Sequence, residues 1–326
     1  MTHKLRIILG PTAVGKTDYS IREALEYGSP VISCDSRQIY KEMSVGTAVP
    51  SDEQLSAVKH YFIRTHHVSD LYSAGRYETE ALSLVEHLFS MGHETLVMSG
   101  GSGFYIDAFC RGLDAFPPAD MELRRTLNRR LEEEGVESLR FELRRLDPES
   151  YASMDIANGQ RILRALEVCL STGRPFSSYK TAVTKKRGFE IEKIGLSRPR
   201  EELYGRIDRR VLDMMDHGLV DEVRRLARYR ELPALQTVGY KEIFSYLDGR
   251  IPLEEAVRLI QRNTRHYARK QMSYWRRDPD IMWLGLNEGS AENPGDGTPV
   301  PADFKSAGTE EYPKLKNKLN KNGESP

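Results

Sequence analysis

The segment RIILGPTAVGKTDYS near the N-terminus contains the residues of this chain that are best suited to chemistry. Residues 10–17 spell G-x-x-x-x-G-K-T, the pattern of a loop that binds phosphate groups. Glycines allow backbone N–H groups to approach an anion, and the helix predicted to start near Gly15 adds its positive dipole end. Lys16 supplies a mobile positive charge, and the Thr17 hydroxyl can ligate Mg²⁺. The pattern therefore predicts a phosphate site without identifying the phosphate.

Two polar side chains follow other apolar strands of the predicted sheet. Asp35 comes after VISC, and Ser102 lies in SGGSGFY after TLVM. The carboxyl ends of parallel strands face one crevice, so both residues are expected beside the phosphate loop. Asp35 can act there as a metal-side carboxylate or a general base, or it can simply cap the next turn. The Gly-Gly-Ser run likewise suits either a functional loop or a tight turn.

Two basic stretches indicate an anionic partner. Arg161 and Arg164 are three apart in GQRILRALEV, and the long helix predicted over 252–277 carries an arginine stripe with no acidic residue between Ala256 and Arg277. A solvated helix face normally mixes both signs, so the stripe needs an anion. A polynucleotide backbone, a diphosphate and acidic side chains of the same protein all stay open. The stripe comprises Arg258, Arg262, Arg265, Arg269 and Arg276.

The order of the predicted elements indicates an α/β fold. Apolar strands alternate with helices, which is typical of a parallel sheet covered on both faces. The predicted strands are 5–10, 30–34, 95–99, 189–196 and 281–286. Residues 119–172 show helical spacing only, so we predict a P-loop parallel-sheet core covered by helices at 1–116 and 189–286, with a mainly helical insertion domain at 117–188. The Gly-, Pro- and Lys-rich residues 287–326 are predicted to be a disordered tail.

Composition excludes several classes of protein. The 326-residue chain has 48 Lys+Arg and 48 Asp+Glu, so its net charge gives no indication of partners. Cys34, Cys110 and Cys169 are too far apart for a C-x-x-C zinc or redox motif. The N-terminus lacks the pattern of a signal peptide, and no apolar run approaches the roughly 18 residues of a membrane span. We therefore expect a cytoplasmic protein with no membrane partner.

Six blocks of this sequence, in order, resemble the tRNA dimethylallyltransferases, a family of tRNA prenyltransferases. GPTAVGKT is similar to the family's GPTASGKT loop, SCDSRQIYKEMSVGTAVP to its D-S-x-x-I/V-Y-x-x-M-x-I-G-T-A-K-P segment, and GGSGFYIDAFCRGL to its G-G-T/S-G-x-Y block. NGQRILRALEVCLSTGRP resembles the signature of its helical insertion, and RIDRRVLDMMDHGLVDEV and TVGYKEIFSYLDG resemble later blocks. The resemblance covers roughly residues 5–285 and is of the bacterial type, because the cysteines of the eukaryotic zinc finger are absent.

The resemblance implies an activity. In this family the loop holds the diphosphate of dimethylallyl diphosphate, and no nucleotide is hydrolysed. The dimethylallyl group moves to the exocyclic amine of the adenosine just 3′ of the anticodon, in tRNAs that read codons beginning with U. The implied partners are dimethylallyl diphosphate and the anticodon stem-loop of tRNA, the implied cofactor is Mg²⁺, and the implied enzyme is a monomer.

The resemblance also assigns roles to residues, carried over position by position. The implied catalytic residues are Asp35, Thr17, Lys16, Ser102 and Arg210, with Asp35 as the general base and Thr17 as a ligand of Mg²⁺. The implied diphosphate contacts are Gly10, Pro11, Thr12, Ala13, Val14, Gly15, Lys16 and Thr17. The implied tRNA contacts are Asp35, Ser36, Arg37, Gln38, Ser102, Arg124, Gln160, Arg161, Ile162, Leu163, Arg164, Gln236, Gly239 and Lys241. Among these, the Gln38 amide is expected to pair with an adenine edge.

Two residues depart from the family pattern, and three other functions stay open. Val49 replaces the usual Lys after G-T-A, which removes a charge, whereas Ser102 replaces the commoner Thr and keeps the hydroxyl. The alternatives are a P-loop kinase, a prenyltransferase acting on free adenine nucleotides, and a non-catalytic RNA-binding module. A kinase would need an Arg-rich lid motif, which we do not find in this sequence. The insertion with its Q-R-x-x-R favours a large RNA acceptor over a free nucleotide. A non-catalytic module would not need Lys16, Thr17 and Asp35 together.

Overall fold

The strand before the phosphate loop lies in the middle of a six-stranded parallel sheet. The computed structural model describes residues 3–181 and 184–286. The strands are β1 Lys4–Leu9, β2 Val31–Ser33, β3 His60–Tyr61, β4 Thr95–Gly100, β5 Glu190–Ser197 and β6 Ile281–Gly285. Their order is β3-β2-β4-β1-β5-β6, and every neighbouring pair is parallel. β1 therefore lies between β4 and β5, and the strands that follow these two in the sheet lie on opposite sides of β1. Open α/β sheets bind ligands at the carboxyl end of such a strand.

Helices cover both faces of the sheet and form the insertion. Within the described ranges the α-helices are α1 Lys16–Glu26, α2 Asp52–Ala57, α3 Ala74–Ser90, α4 Gly103–Arg111, α5 Met121–Glu133, α6 Val136–Leu146, α7 Pro148–Ser153, α8 Gly159–Thr172, α9 Arg200–Asp216, α10 Leu219–Arg225, α11 Tyr240–Leu247 and α12 Leu253–Trp275. Two 3₁₀ helices lie at Phe176–Tyr179 and Ala227–Tyr229. None of the helices described is long and apolar enough to cross a bilayer.

Side chains of β1 alternate between two apolar clusters, one on each face of the sheet. Leu5, Ile7 and Leu9 pack with residues of α3 and α4, whereas Ile8 packs with residues of α1 and α9. All four are fully buried. A strand buried on both faces is mostly apolar, which explains why the sequence LRIIL, apolar except for the half-buried Arg6, predicts it.

The long helix α12 joins the two faces of the sheet. Ala268 belongs to the cluster around α1 and α9, and Trp275 to the cluster around α3 and α4. Between them, Gln271 contacts Thr12 after β1 and Gly101 after β4. The helix therefore runs across the carboxyl edge of the sheet, where the functional loops lie.

Glu78 of α3 ties both connections of the insertion to the core. It accepts a hydrogen bond from the N–H of Leu113, on the way into the insertion, at 3.0 Å. It also accepts hydrogen bonds from Lys185 and Arg187, on the way out, each at 3.1 Å. Helices α5 to α8 surround an apolar cluster of their own, which includes Leu127.

The predicted α/β fold with a parallel sheet is confirmed, and all five predicted strands are present. The pattern gives no sign of β3, because a two-residue strand is too short to show alternation. It also gives no prediction of α2, although Ser51 and Gln54 form a capping box there. The domain limits at 117 and 188 stay predictions. The predicted disorder of 287–326 concerns residues outside the described ranges.

Candidate active site

The phosphate loop, residues 10–17, leaves β1 and enters α1 at the carboxyl edge of the sheet. Gly10 has φ +152°, and a Cβ there would lie 2.7 Å from the carbonyl oxygen of Leu196. Only glycine therefore allows the loop to pass β5 this closely. The Lys16 ammonium folds back over the loop and donates hydrogen bonds to the carbonyl oxygens of Gly10 and Pro11, each at 2.9 Å.

Three arginines donate hydrogen bonds to residues of this loop. Arg206 and Arg210 are one helical turn apart on α9 and both line the cleft in front of the loop, whereas Arg198 precedes α9. The sequence pattern singles out Arg210 alone; the four-residue spacing in RIDRR is the signal that could have added Arg206. The contacts are Arg198 Nε to Val14 O at 2.7 Å, Arg206 Nε to Ala13 O at 2.8 Å, and Arg210 Nη1 to Thr12 Oγ1 at 3.1 Å.

Positive charge is concentrated at the loop. Burial lowers the pKa of Lys16 to about 7; the Arg210 guanidinium acts in the same direction, and the Asp35 carboxylate in the opposite one. Burial also lowers the pKa of Arg210, and the neighbouring Arg206 adds to this effect. Crowded, partly buried cations of this kind are stabilised by an anion, so the electrostatics favour a bound phosphate.

Asp35 lies two residues beyond β2 and has two functions in the structure. Its Oδ1 accepts hydrogen bonds from the N–H groups of Arg37 and Gln38, at 2.9 and 3.2 Å, so it does cap the turn that follows. Asp35 also lines the cleft, together with Lys16 and Gly101. A Cβ atom placed on Gly101 would lie 3.9 Å from Asp35 Oδ2 and 3.8 Å from Lys16 Nζ, so both charged groups lie beside this glycine. The predicted convergence of the phosphate loop and Asp35 is therefore present in the structure.

Ser102 contacts the segment that carries Asp35. Its hydroxyl oxygen accepts a hydrogen bond from the N–H of Ser36 at 2.9 Å and is 3.1 Å from the Ser36 hydroxyl, and it is not among the residues lining the cleft. Its hydroxyl thus holds the segment that carries Asp35, and the contacts of Ser102 with diphosphate and RNA stay predictions. Gly101, the preceding residue, lines the cleft.

Gln38 and Arg37 are also held by the protein itself. The Gln38 side-chain amide donates hydrogen bonds to the carbonyl oxygens of Thr47 and Ala48, at 3.2 and 3.0 Å. Its N–H groups are thus engaged within the protein, and only its carbonyl oxygen is left for the predicted pairing with an adenine edge. Arg37 donates a hydrogen bond to the carbonyl oxygen of Pro233 at 3.1 Å.

These elements enclose an open cleft of about 740 Å³. The phosphate loop, Asp35, Gln38 and Gly101 line it together with Arg206 and Arg210. Helix α12 contributes two side chains that the sequence pattern does not indicate, Tyr267 and Gln271. Apolar side chains also line the cleft, so it suits a ligand with a charged end and an apolar part: Val45, Ala48, Val49, Pro50 and Met214.

Part of the predicted RNA-binding helix faces inwards. Ile162 and Leu163 are buried in the cluster of the insertion, so their side chains pack inside it, and the RNA contact assigned to these two positions stays a prediction. Arg124 and Arg164 both pair with Glu167, which is fully buried, at 2.5 and 3.1 Å. A buried carboxylate needs such partners, so these two arginines have a structural role in addition to any RNA contact.

Arg161 lies instead in a second cleft, of about 680 Å³, between the insertion and α12. Gln160, beside it, is exposed. The cleft is strongly basic, with one acidic residue in its lining. The lining residues are Asp155, Arg161, His266, Arg269, Lys270, Ser273, Tyr274 and Arg277.

The segment 236–241 combines exposed and buried residues. Lys241 is exposed, and Gln236 is exposed but donates a hydrogen bond to the carbonyl oxygen of Arg230 at 2.7 Å. Gly239 is buried at the start of α11, and its N–H donates to Glu242 at 2.8 Å. Gly239 therefore helps to start α11, and its assigned RNA contact stays a prediction, whereas Gln236 and Lys241 present exposed side chains to a partner.

The arginine stripe of α12 has mixed partners. Arg258 pairs with Glu255 at 2.6 Å, and Arg265 pairs with Asp208. Arg269 lies in the second cleft. The protein's own carboxylates thus account for part of the stripe, and the end towards the cleft faces the insertion.

Comparison with known proteins agrees with this geometry. A protein-family model described as IPP transferase matches residues 38–278. The chain belongs to the IPP transferase family. Members of the family include tRNA dimethylallyltransferase 2 of Porphyromonas gingivalis, 52% identical over 86% of this chain and 94% of that protein, and tRNA dimethylallyltransferase 1 of Bacteroides thetaiotaomicron, 48% identical over 86% and 91%.

Solved structures show the same fold. The tRNA isopentenylpyrophosphate transferase of Bacillus halodurans is 34% identical, with a TM-score of 0.63, over 87% of this chain and 90% of that one. A eukaryotic dimethylallyltransferase acting on tRNA has a TM-score of 0.71 at 24% identity, over 87% of this chain and 74% of that one. The P-loop α/β core of this chain is thus the core of its family.

Proposed function

We propose that this protein transfers the dimethylallyl group of dimethylallyl diphosphate to the exocyclic amine of the adenosine that follows the anticodon, in tRNAs reading codons that begin with U. Relatives named tRNA dimethylallyltransferase, 48% and 52% identical over most of the chain, support tRNA as the substrate. One observation carries the proposal: Lys16 and Asp35 meet at Gly101 in one cleft. Alkyl transfer from a diphosphate to an amine needs a cation for the leaving group and a base for the proton, side by side.

The donor half of the reaction requires stabilisation of a leaving diphosphate. The bond between C1 of the dimethylallyl group and the diphosphate oxygen breaks, and the electron pair stays on that oxygen. Lys16 and the N–H groups of the loop bind the diphosphate, and Arg206 and Arg210 add positive charge along the same cleft. The apolar lining of the cleft suits the five-carbon group.

Mg²⁺ is the cofactor that we propose for this half. Among the described residues, no three His, Cys, Asp or Glu side chains cluster as a metal site. This donor set fits Mg²⁺ that is held mainly by the substrate, because Mg²⁺ commonly takes one or two protein ligands beside phosphate oxygens. The Thr17 hydroxyl, in the cleft at the start of α1, suits such a ligand. When bound, the cation neutralises charge on the diphosphate.

The acceptor half requires an adenine amine at the same place. A bond forms between the amine nitrogen and C1, and the nitrogen then loses a proton to the Asp35 carboxylate. Because Asp35 Oδ1 is held by two backbone N–H groups, the carboxylate has a fixed orientation towards the cleft. The base must leave its stack to reach a pocket at the sheet edge, as in other enzymes that modify bases.

The second cleft is our proposed docking site for the anticodon stem-loop. Arg161, Arg269, Lys270 and Arg277 face a single carboxylate, Asp155, across it. Such an excess of cations matches the phosphates of an RNA backbone. One chain supplies all of these residues, so we propose a monomer, acting in the cytoplasm where tRNA is available.

The proposal is tested by incubating the purified protein with dimethylallyl diphosphate, Mg²⁺ and one of two acceptors. These are an unmodified tRNA with adenosine 3′ of its anticodon, and free AMP. Mass spectrometry of the acceptor should show a dimethylallyl adduct on the tRNA alone. An adduct on AMP alone would make the protein a free-nucleotide prenyltransferase, and ATP turnover with no adduct would make it a kinase.

A further inference from the structure

Gln271 of α12 makes two hydrogen bonds that join the two functional loops. Its Oε1 accepts from the backbone N–H of Thr12, in the phosphate loop, at 2.9 Å. Its Nε2 donates to the carbonyl oxygen of Gly101, after β4, at 2.8 Å. The side chain is 6% exposed, so neither bond is replaced by water without a structural change. A primary amide is suited to this position because it has a donor and an acceptor at its end.

The two loops joined in this way carry the two halves of the reacting machinery. Thr12 belongs to the phosphate loop, and its hydroxyl also contacts Arg210. Gly101 precedes Ser102, whose hydroxyl holds Ser36 next to Asp35. The amide of Gln271 is thus the direct bridge between the loop that binds the leaving group and the segment that carries the base.

The fit around the bridge is close. A Cβ on Gly101 would lie 2.7 Å from Nε2 of Gln271, so the absence of a side chain there admits the amide. Gln271 also lines the cleft. A glutamine that only filled space behind the sheet would show neither the double bridge nor a place in the cleft wall.

We propose that Gln271 is a positioning residue, which fixes the distance between the phosphate loop and Asp35 and so sets the alignment of the leaving group with the amine. This inference rests on the proposed transfer reaction. Misplacement of reacting groups by about 1 Å can lower a rate by about 100-fold, so the bridge need not touch substrate to matter.

The test uses Gln271→Met, Gln271→Glu and a matched control on the same helix. Gln271→Met keeps the length and loses both bonds, and we expect kcat with tRNA to fall at least about tenfold. The dissociation constant for tRNA should change less than about twofold. Gln261→Met is the control, because Gln261 donates one bond to the carbonyl oxygen of Asp208 and does not line the cleft; its kcat should equal that of the wild type.

Gln271→Glu gives a readout that a purely structural role would not produce. A carboxylate accepts from Thr12 but repels the carbonyl oxygen of Gly101, whereas a protonated carboxyl group can accept and donate like the amide. The ratio of variant to wild-type kcat should therefore rise as the pH falls, and the same ratio for Gln271→Met should stay flat. The charged groups near this position are Lys16, Asp35 and Arg210, and the ratio for Gln271→Met is the reference for their contribution.

The outcomes separate this inference from the proposed function. If kcat of Gln271→Met equals that of Gln261→Met, the bridge does not position the loops and the inference fails. It also fails if both Gln271 ratios are flat with pH, or if melting temperature and tRNA affinity fall together with kcat. If the wild type transfers nothing to tRNA, calorimetry of inorganic diphosphate binding tests the bridge instead. Gln271→Met should then bind diphosphate at least about fivefold more weakly than Gln261→Met. Equal affinities of the two variants would refute the bridge.

Discussion

The hydroxyl of Tyr240 donates a hydrogen bond to Glu222 at 2.6 Å, and this buried pair holds a loop of the cleft wall. Glu222 also accepts hydrogen bonds from three consecutive N–H groups, those of Ser44, Val45 and Gly46, at 2.8–2.9 Å. A Cβ on Gly46 would lie 2.6 Å from the Tyr240 ring, so the loop rests directly on that ring. The TVGYK motif therefore has a part in shaping the cleft, through its tyrosine, in addition to the RNA contact that the resemblance assigns to it.

Glu222→Gln is expected to lower the free energy of unfolding by about 1.5–3 kcal/mol. An amide has one acceptor oxygen, whereas the carboxylate accepts four hydrogen bonds with two oxygens. KM for dimethylallyl diphosphate should rise as well, because the loop lines the cleft. Urea unfolding and steady-state kinetics measure the two effects. Tyr246→Phe, on the same helix α11, removes a hydroxyl that does not bond Glu222 and should change neither the free energy of unfolding nor KM. If Tyr246→Phe changed both as much as Glu222→Gln does, the Tyr240–Glu222 pair would have no special role.

Local patterns in the sequence predicted the fold and half of the site. β1 is mostly apolar because its Leu and Ile side chains are buried on both faces, and the phosphate loop has its own spacing of Gly, Lys and Thr. Residues that reach the site from far along the chain gave no such pattern. Gln271 bonds Gly101 across 170 positions, and Arg206 bonds Ala13 across 193. In each pair, the local sequence around one residue carries no information about the residue that it contacts.

Charge patterns in the sequence were ambiguous for another reason. An arginine looks the same whether it binds RNA or a carboxylate of the protein. Arg164 pairs with Glu167, and their three-residue spacing on α8 was a signal for this pair. The burial of Glu167, which makes the pair structural, depends on how α5, α6 and α8 pack and is not visible in the sequence.

Asp35→Asn is expected to lower the rate of transfer by about 100- to 10,000-fold, because the amide cannot accept the proton of the amine. Asparagine keeps an oxygen for the N–H groups of Arg37 and Gln38, so the turn should persist and tRNA affinity should change little. Single-turnover kinetics with saturating tRNA measure the rate, and filter binding measures the affinity. Equal losses of rate and affinity would mean that Asp35 mainly holds the RNA.

Arg269→Ala is expected to weaken tRNA binding and to reduce the slope of log affinity against log salt by about 1, since one phosphate contact is lost. Arg161→Ala should behave in the same way from the opposite wall of the second cleft. Arg258→Ala is the matched control on α12, because Arg258 pairs with Glu255 and does not line the cleft. Binding titrations at several salt concentrations give the slopes. An unchanged slope for Arg269→Ala and Arg161→Ala would place the RNA elsewhere.

Glu78 is expected to make folding sensitive to acid. Burial by itself raises the pKa of Glu78, but hydrogen bonds from Arg187 and Lys185 outweigh burial, so its pKa lies below the ordinary value of 4.5. The folded state thus binds fewer protons than the unfolded state, and the stabilisation is complete above pH 4.5 and lost as the pH falls through the lowered pKa.

Glu78→Gln should therefore lower the free energy of unfolding by about 1–3 kcal/mol at pH 7, and the difference from the wild type should shrink as the pH falls below 4.5. Urea unfolding between pH 7 and pH 3 measures this difference. The exposed Glu132→Gln, on α5, is the control and should follow the wild type throughout. Because Glu78 holds both connections of the insertion, limited proteolysis near Leu113 and Lys185 should also be faster in Glu78→Gln at pH 7. A difference that stays constant down to pH 3 would show that the charge of Glu78 is not what ties the insertion to the core.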